Sequence, residues 1–179
     1  GRKELLVNQL KAHELDLAFS NTGTSDPEIV AIQQFQLPVG LYVSTRERKK
    51  YPKKSARDFL TDPSIGFALP NFQLRLRYEI DDYLESQGIK NTVFFESDTL
   101  ALVTRAVVDH VGIGFFPKPY MQEDEKLKQV VCISGREPLW HHSLYLLSHL
   151  RFEQTPVIRE MILSIRKHFS IVEHSKAAK

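Results

Sequence analysis

The chain has 179 residues, 42% of them hydrophobic and 26% charged, with a net charge of +2. That length fits one medium domain or two small lobes, and so weak a charge does not imply nucleic-acid binding by these residues alone. A single cysteine, Cys132, excludes an internal disulfide and any multi-cysteine zinc site and makes a reducing, cytoplasmic setting the default; no apolar run approaches the roughly 18 residues of a membrane span.

The opening GRKELLVNQLKAHE carries Leu5, Leu6 and Leu10 on one helical stripe. An α/β domain usually leads into such a helix with a strand, so the expectation is a piece of a longer protein. In ELDLAFSN, Leu15, Leu17 and Phe19 alternate as in a strand, and the polar loop Asn21 to Pro27 follows. IVAIQQFQLPVGLYVS is a long extended segment interrupted at Pro38 and Gly40; Pro38 lacks a ladder donor, so the strand bends or changes partners there. The basic stretch TRERKKYPKK reads as a loop and SARDFLTD as a short helix capped by Ser55.

A strand over Ser64 to Leu69 feeds a helix with Phe72, Leu76, Ile80, Tyr83 and Leu84 on one face and Gly88 as its stop. TVFFES is the next strand, and Leu100, Val103, Val107 and Val111 give the stripe of the helix after it. Gly112 is expected to end that helix at the C′ position, with Ile113, Phe115 and Phe116 as a short buried strand. KQVVCI and HSLYLLSHL are strands. Thr155 and Pro156 cap and start a last helix through Ile158, Met161, Ile162, Ile165 and Phe169, and the polar tail 175–179 is expected to fray. Repeated strand–helix–strand order predicts an α/β fold with largely parallel sheets. The two long strands, around 35–45 and 142–150, are natural crossovers between lobes.

Ligands in such sheets bind beyond the carboxyl ends of the strands. Three strand exits are polar: Ser20-Asn21, Pro70-Asn71 and Glu96-Ser97-Asp98-Thr99. The second and third run into helix N-termini, whose unpaired N–H groups and partial positive charge suit a carboxylate or phosphate. Phe115 and Phe116 are candidate aromatic walls, only one of which can face the crevice. A plainer reading stands beside this one: Ser97 or Asp98, and Asn71, can simply cap their helices. Glu96 and Asp98 offset the helix field and leave room for a cation or a ligand with a positive end.

FFESDTLALVTRAVVDHVGIGFFP, residues 94–117, resembles the signature of the effector-binding domain of LysR-type transcriptional regulators. LKAHELDLAFS, LPVGLYVSTRERKKYP and TPVIREMILSIRKHF resemble further pieces of that domain in the same order, so the resemblance covers nearly the whole chain. It implies an α/β, two-lobed, periplasmic-binding-protein-like (type 2) fold whose lobes are joined by two crossover strands. Lobe I would be residues 1–41 and 146–172, lobe II residues 42–145, and 173–179 a tail. It implies a small-molecule or ion effector held between the lobes, for which the strand exits and the aromatic strand read above supply the candidate contacts Ser20, Asn21, Pro70, Asn71, Glu96, Ser97, Asp98, Thr99, Phe115 and Phe116. It also implies no cofactor, no catalysis, no membrane, a homodimer (a tetramer in the full-length protein), and DNA contact only through a winged helix-turn-helix missing from these residues. The patches HELDLAFSN, ESDTLALVTRAV and VVCISGREPLWHHSLYLL are similar to the regulator of sodium/proton antiporters within that family.

Other residues carry less. Arg46, Arg48, Lys49, Lys50, Lys53 and Lys54 read as a solvated loop. His141 and His142 point to opposite faces of a strand, His149 lies roughly 26 Å from His141 along it, and His110 complements a helix dipole, so no metal site follows. There is no G-x-S-x-G, H-E-x-x-H or P-loop motif, and Cys132 in VVCI reads as a buried, inert thiol. A secreted substrate-binding protein of the same lobe design is the alternative function; an enzyme would need a convergent acid/base or nucleophile pair.

Overall fold

The computed structural model describes residues 2–151 and 155–174; the expected frayed tail, 175–179, lies outside them. In chain order the elements are α1 (Arg2–Lys11), β1 (Ala18–Ser20), β2 (Ile29–Ser44), α2 (Thr45–Lys50), α3 (Ala56–Thr61), β3 (Phe67–Pro70), α4 (Arg75–Ser86), β4 (Val93–Ser97), α5 (Leu100–Val108), β5 (Gly114–Pro117), α6 (Lys118–Lys126), β6 (Val130–Cys132), β7 (Trp140–His149) and α7 (Pro156–His174). They form two compact units: unit 1 is residues 1–37 and 143–179, unit 2 is Pro38–His142. The chain crosses the boundary inside β2 and inside β7, the two strands singled out by their length.

In unit 1, β1 runs antiparallel to β7, with Phe19 opposite Leu146, and β7 is also a neighbour of β2. Phe35, Leu37, Leu144, Leu146 and Ile162 form one core cluster under α7; Leu10, Ala18, Ile29 and Leu147 form another under α1. The expected inward alternation of Leu15, Leu17 and Phe19 is not kept. Leu15 and Leu17 pack before the strand begins, Ala18 takes the buried position, and Phe19 is exposed.

In unit 2, β3 and β4 pair in parallel and Ile113 bridges to Phe67 in the same sense. The second half of β2 instead takes β5 and β6 antiparallel. The expectation of largely parallel sheets therefore holds for β3, β4 and the Ile113 bridge; β1–β7, β2–β5 and β2–β6 are antiparallel, the last two because β2 enters unit 2 against the direction of its strand–helix repeats. Where the chain enters and leaves this unit it is tied by Leu139 N–H donating to Val39 O at 2.9 Å. The stretch read as a basic loop begins as α2, since Ser44 Oγ accepts from Glu47 N and caps it. Ser55 and Asp58 form a capping box on α3.

β5 explains the Gly-Ile-Gly-Phe-Phe-Pro run. Phe115 and Phe116 are both wholly buried on opposite faces, Phe115 against Phe67, Tyr83 and Trp140, Phe116 in the cluster with Tyr42, Val103, Val107 and Met121. A Cβ on Gly112 would stand 2.6 Å from Gly66 O and 3.0 Å from Ala68 N. Gly112 is required by close backbone approach, with Ile113 N donating to Gly66 O and Ala68 N to Ile113 O.

Gly112 is accordingly not the residue that ends α5. His110 takes the left-handed conformation (φ 66°) while its N–H donates to Val107 O and that of Val111 to Ala106 O, the Schellman arrangement. α1 ends the same way at His13 (φ 57°), α4 at Gly88 (φ 62°) and α6 at Lys128 (φ 56°). Gly88 is the stop expected of it; the other three terminators carry side chains and give no glycine signal.

Candidate functional site

The parallel register of β3 and β4 sets Leu69 opposite Glu96 and Pro70 opposite Ser97. Asn71 N–H then donates to Ser97 O at 2.8 Å, extending the ladder one residue past the strands. Two polar exits, Pro70-Asn71 and Glu96-Ser97-Asp98-Thr99, thus lie side by side, each followed by a helix, α4 and α5. Ser20 and Asn21 stand at the end of β1 in unit 1, where Ser20 Oγ donates to Thr22 O and accepts from Thr22 N.

The capping alternative is answered by the hydrogen bonds. Leu74 and Thr99 hold the N-cap positions of α4 and α5, and neither makes a side-chain cap. Asn71 Oδ1 accepts from Gln73 N at 3.0 Å and Ser97 Oγ from Thr99 N at 3.1 Å, each a turn two residues on and short of the helix. Thr99 Oγ1 donates to Asp98 Oδ1 at 3.2 Å. Both helices therefore present first-turn N–H groups without a side-chain cap, beside the Asn71 amide and the Ser97 and Thr99 hydroxyls. Asn71 and Ser97 are half-buried; Asp98 and Thr99 are exposed.

Glu96 does other work. Its Oε2 accepts from Arg77 Nη1, which also donates to Pro70 O at 3.0 Å, while Arg77 Nε meets both oxygens of Asp81 at 3.0 Å. Phe72 lies with its ring centroid 4.3 Å from the Arg77 guanidinium. Burial works against the Arg77 charge, but the bonds from Glu96 and Asp81 outweigh it and raise its pKa. Arg77 thus ties the last carbonyl of β3 to the side chain beside it on β4 and holds both exits in place. Its sequence signal is an arginine at the spacing of Ile80 and Leu84 on the apolar stripe of α4. Phe72, expected on that stripe, precedes the helix and is exposed, and the stripe's place is taken by Arg77 itself.

The remaining candidates are not ligand surface. Phe115 and Phe116 have no exposed area, so the wall expected of one of them is core instead; a short strand covered on both faces leaves neither free. Cys132 is half-buried on β6, 3.3 Å from Ser134 Oγ. Among the described residues no cluster of three or more metal-ligating side chains forms, and no helix is long and apolar enough to cross a membrane. Chemically, the paired exits offer N–H and O–H donors together with two exposed carboxylates, Glu96 held by Arg77 and Asp98 bonded by Thr99, and among the described residues neither carboxylate hydrogen-bonds Ser97. That is equipment for holding a ligand.

The fold and the paired strand ends define a class, the effector-binding domains of type 2 periplasmic-binding-protein-like architecture. Within it the chain belongs to the LysR family: the sequence profile of the LysR substrate binding domain matches residues 1–170. Solved structures agree in fold. The regulatory domain of a HypT mutant from Salmonella typhimurium superposes with a TM-score of 0.67 at 14% identity, covering 93% of this chain and 80% of that one. The effector domain of AmpR from Pseudomonas aeruginosa gives 0.68 at 14%, covering 95% and 79%. The effector-binding domain of QuiR, solved in complex with shikimate, gives 0.60 at 18%, covering 93% and 74%. The chain spans 55% of full-length HypT. Among curated protein sequences none matches it.

Proposed function

We propose that this effector-binding domain senses a small molecule at the paired ends of β3 and β4, as part of a bacterial, cytoplasmic transcription regulator and not as an enzyme. The observation that carries the reading is the Pro70–Ser97 register, which puts two helix N-termini lacking side-chain caps beside Asn71, Ser97 and Thr99. A carboxylate suits the N–H groups, and a positive end suits Asp98. Binding would shift the population of conformers, and the change would reach DNA through a segment outside these 179 residues. A homodimer is part of the proposal, supported by Phe94 and Leu102, exposed on β4 and α5. The sodium/proton antiporter regulator is the narrower reading; with Glu96 engaged by Arg77, Asp98 is its remaining acidic support.

The test is thermal denaturation of the chain against small carboxylates, amino acids, and potassium, sodium and lithium salts. A ligand at 100 times its dissociation constant adds about 2.7 kcal/mol, a rise of roughly 5–11 °C for a chain of this size. A rise abolished by Ser97→Ala/Asp98→Ala, with the fold intact, supports the site; an equal rise in the double variant removes it. A response confined to sodium and lithium selects the narrower reading.

A further inference from the structure

Within unit 2, α2 and the turn after α6 are fastened together: Thr45 N–H donates to Gln129 O at 2.8 Å and Thr45 Oγ1 to Lys128 O at 2.7 Å. The end of α5 completes an open cavity of about 560 Å³, lined by Arg46, Lys49, Arg105, Asp109, His110 and Lys128. These residues come from three separated stretches of a chain whose whole net charge is +2. Read along the sequence, Arg46 and Lys49 belong to a solvated basic run; folded, they share a concave wall with cations from α5 and from the turn after α6.

Two features reduce the field and have to be subtracted. Asp109 pairs with Arg105 at 2.7 Å. α5 and α6 also end at this cavity, each C-terminus carrying about half a negative charge, which is reason enough for some cation there. Four permanent cations less one carboxylate and two helix ends still leave about +2. The Arg46, Lys49 and Lys128 side chains have no hydrogen bond or ion pair among the described residues, so their donors are free.

We propose that this cavity is a second ligand site, independent of the strand-end site, that takes a phosphate-bearing small molecule with two or more negative charges. Arg46 offers the planar fork that grips two phosphate oxygens, and Lys49 and Lys128 add ammonium charges. The volume is that of a small-ligand site, and the double fastening of Thr45 holds two of its three walls in place before anything binds.

Calorimetric titration of the 179-residue chain with potassium pyrophosphate at low salt tests this, using Arg46→Ala/Lys49→Ala and, as control, Ser97→Ala/Asp98→Ala. Both cations are exposed, so their removal leaves the core alone, and it takes the net cavity charge to about zero. Expected are saturable binding, weakening as salt is added, loss of affinity of about 10-fold or more in the Arg46/Lys49 variant, and unchanged affinity in the control. No binding at low salt, or equal affinity in the Arg46/Lys49 variant, overturns the proposal. Binding of a duplex oligonucleotide without binding of pyrophosphate overturns it too, in favour of a nucleic-acid surface.

Discussion

Glu79 on α4 receives the Nδ1 proton of His142 on β7 at 2.7 Å, and the same oxygen, Oε2, receives Trp140 Nε1 at 3.1 Å. Its other oxygen meets Arg75 Nε at 3.1 Å. A carboxylate can only accept, so His142 Nδ1 carries a proton in this bond. Burial pushes the Glu79 pKa up, yet the bonds and charge from His142, with those from Trp140 and Arg75, more than offset this and hold it below the ordinary 4.5. A depressed folded-state pKa stabilises above the unfolded value and loses that contribution as pH falls through the folded one. Glu79→Gln should cost about 1–3 kcal/mol at neutral pH, read as a lower urea midpoint, and its deficit against wild type should shrink as pH drops below 4.5.

Arg77→Met keeps the stem and removes the guanidinium that bonds Pro70, Glu96 and Asp81. The Pro70 carbonyl then loses its side-chain donor and Glu96 its partner, at an expected cost of about 2–4 kcal/mol in denaturant unfolding. Because the clamp positions both polar exits, effector affinity at the strand-end site should fall with it. Arg77→Lys, which cannot span three partners, should recover less than half of the stability.

Gly112→Ala sets a methyl against the backbone of β3, which cannot move aside as a side chain can. Destabilisation of about 1–3 kcal/mol is expected, with faster hydrogen exchange at Ala68 and Ile113, whose N–H groups bond across that approach.

His110→Gly should do the opposite. A left-handed non-glycine residue costs about 1 kcal/mol or more, and glycine removes most of that strain. The expected gain is about 1 kcal/mol, a rise in Tm of roughly 2–4 °C, read by calorimetry. A fall in Tm would show that the His110 side chain contributes more than its backbone costs.

Much of this was legible from residue order. Ser55, Thr155 with Pro156, and Gly88 announce helix boundaries because their chemistry acts within a few residues. The polar exits of β3 and β4 are visible because each strand leads straight into a helix, whereas their adjacency comes only with the β3–β4 pairing. What stayed hidden was non-local or lacked its usual marker. Glu79 and His142 become partners only once β7 returns to α4, Arg46 and Lys128 only once two helices converge. His110 ends a helix with no glycine to mark the place, and Gly112, two residues on, serves the approach to β3 instead. Phe115 and Phe116 looked like wall because nothing in their order tells a strand covered on both faces from one covered on one.

The bond between Leu139 and Val39 has a consequence for the order of folding. Unit 1 is built from the two ends of the chain, which about a hundred intervening residues keep apart. Bringing such ends together from a disordered chain costs on the order of 4 kcal/mol in loop entropy. Once unit 2 has formed, that bond holds its entry and exit side by side, and the separation collapses from a long loop to a hydrogen-bond length. Unit 2 should therefore acquire protection first in pulsed hydrogen exchange, with α1 and α7 following as one step, and a break at Leu139 should slow the second step while leaving the first alone.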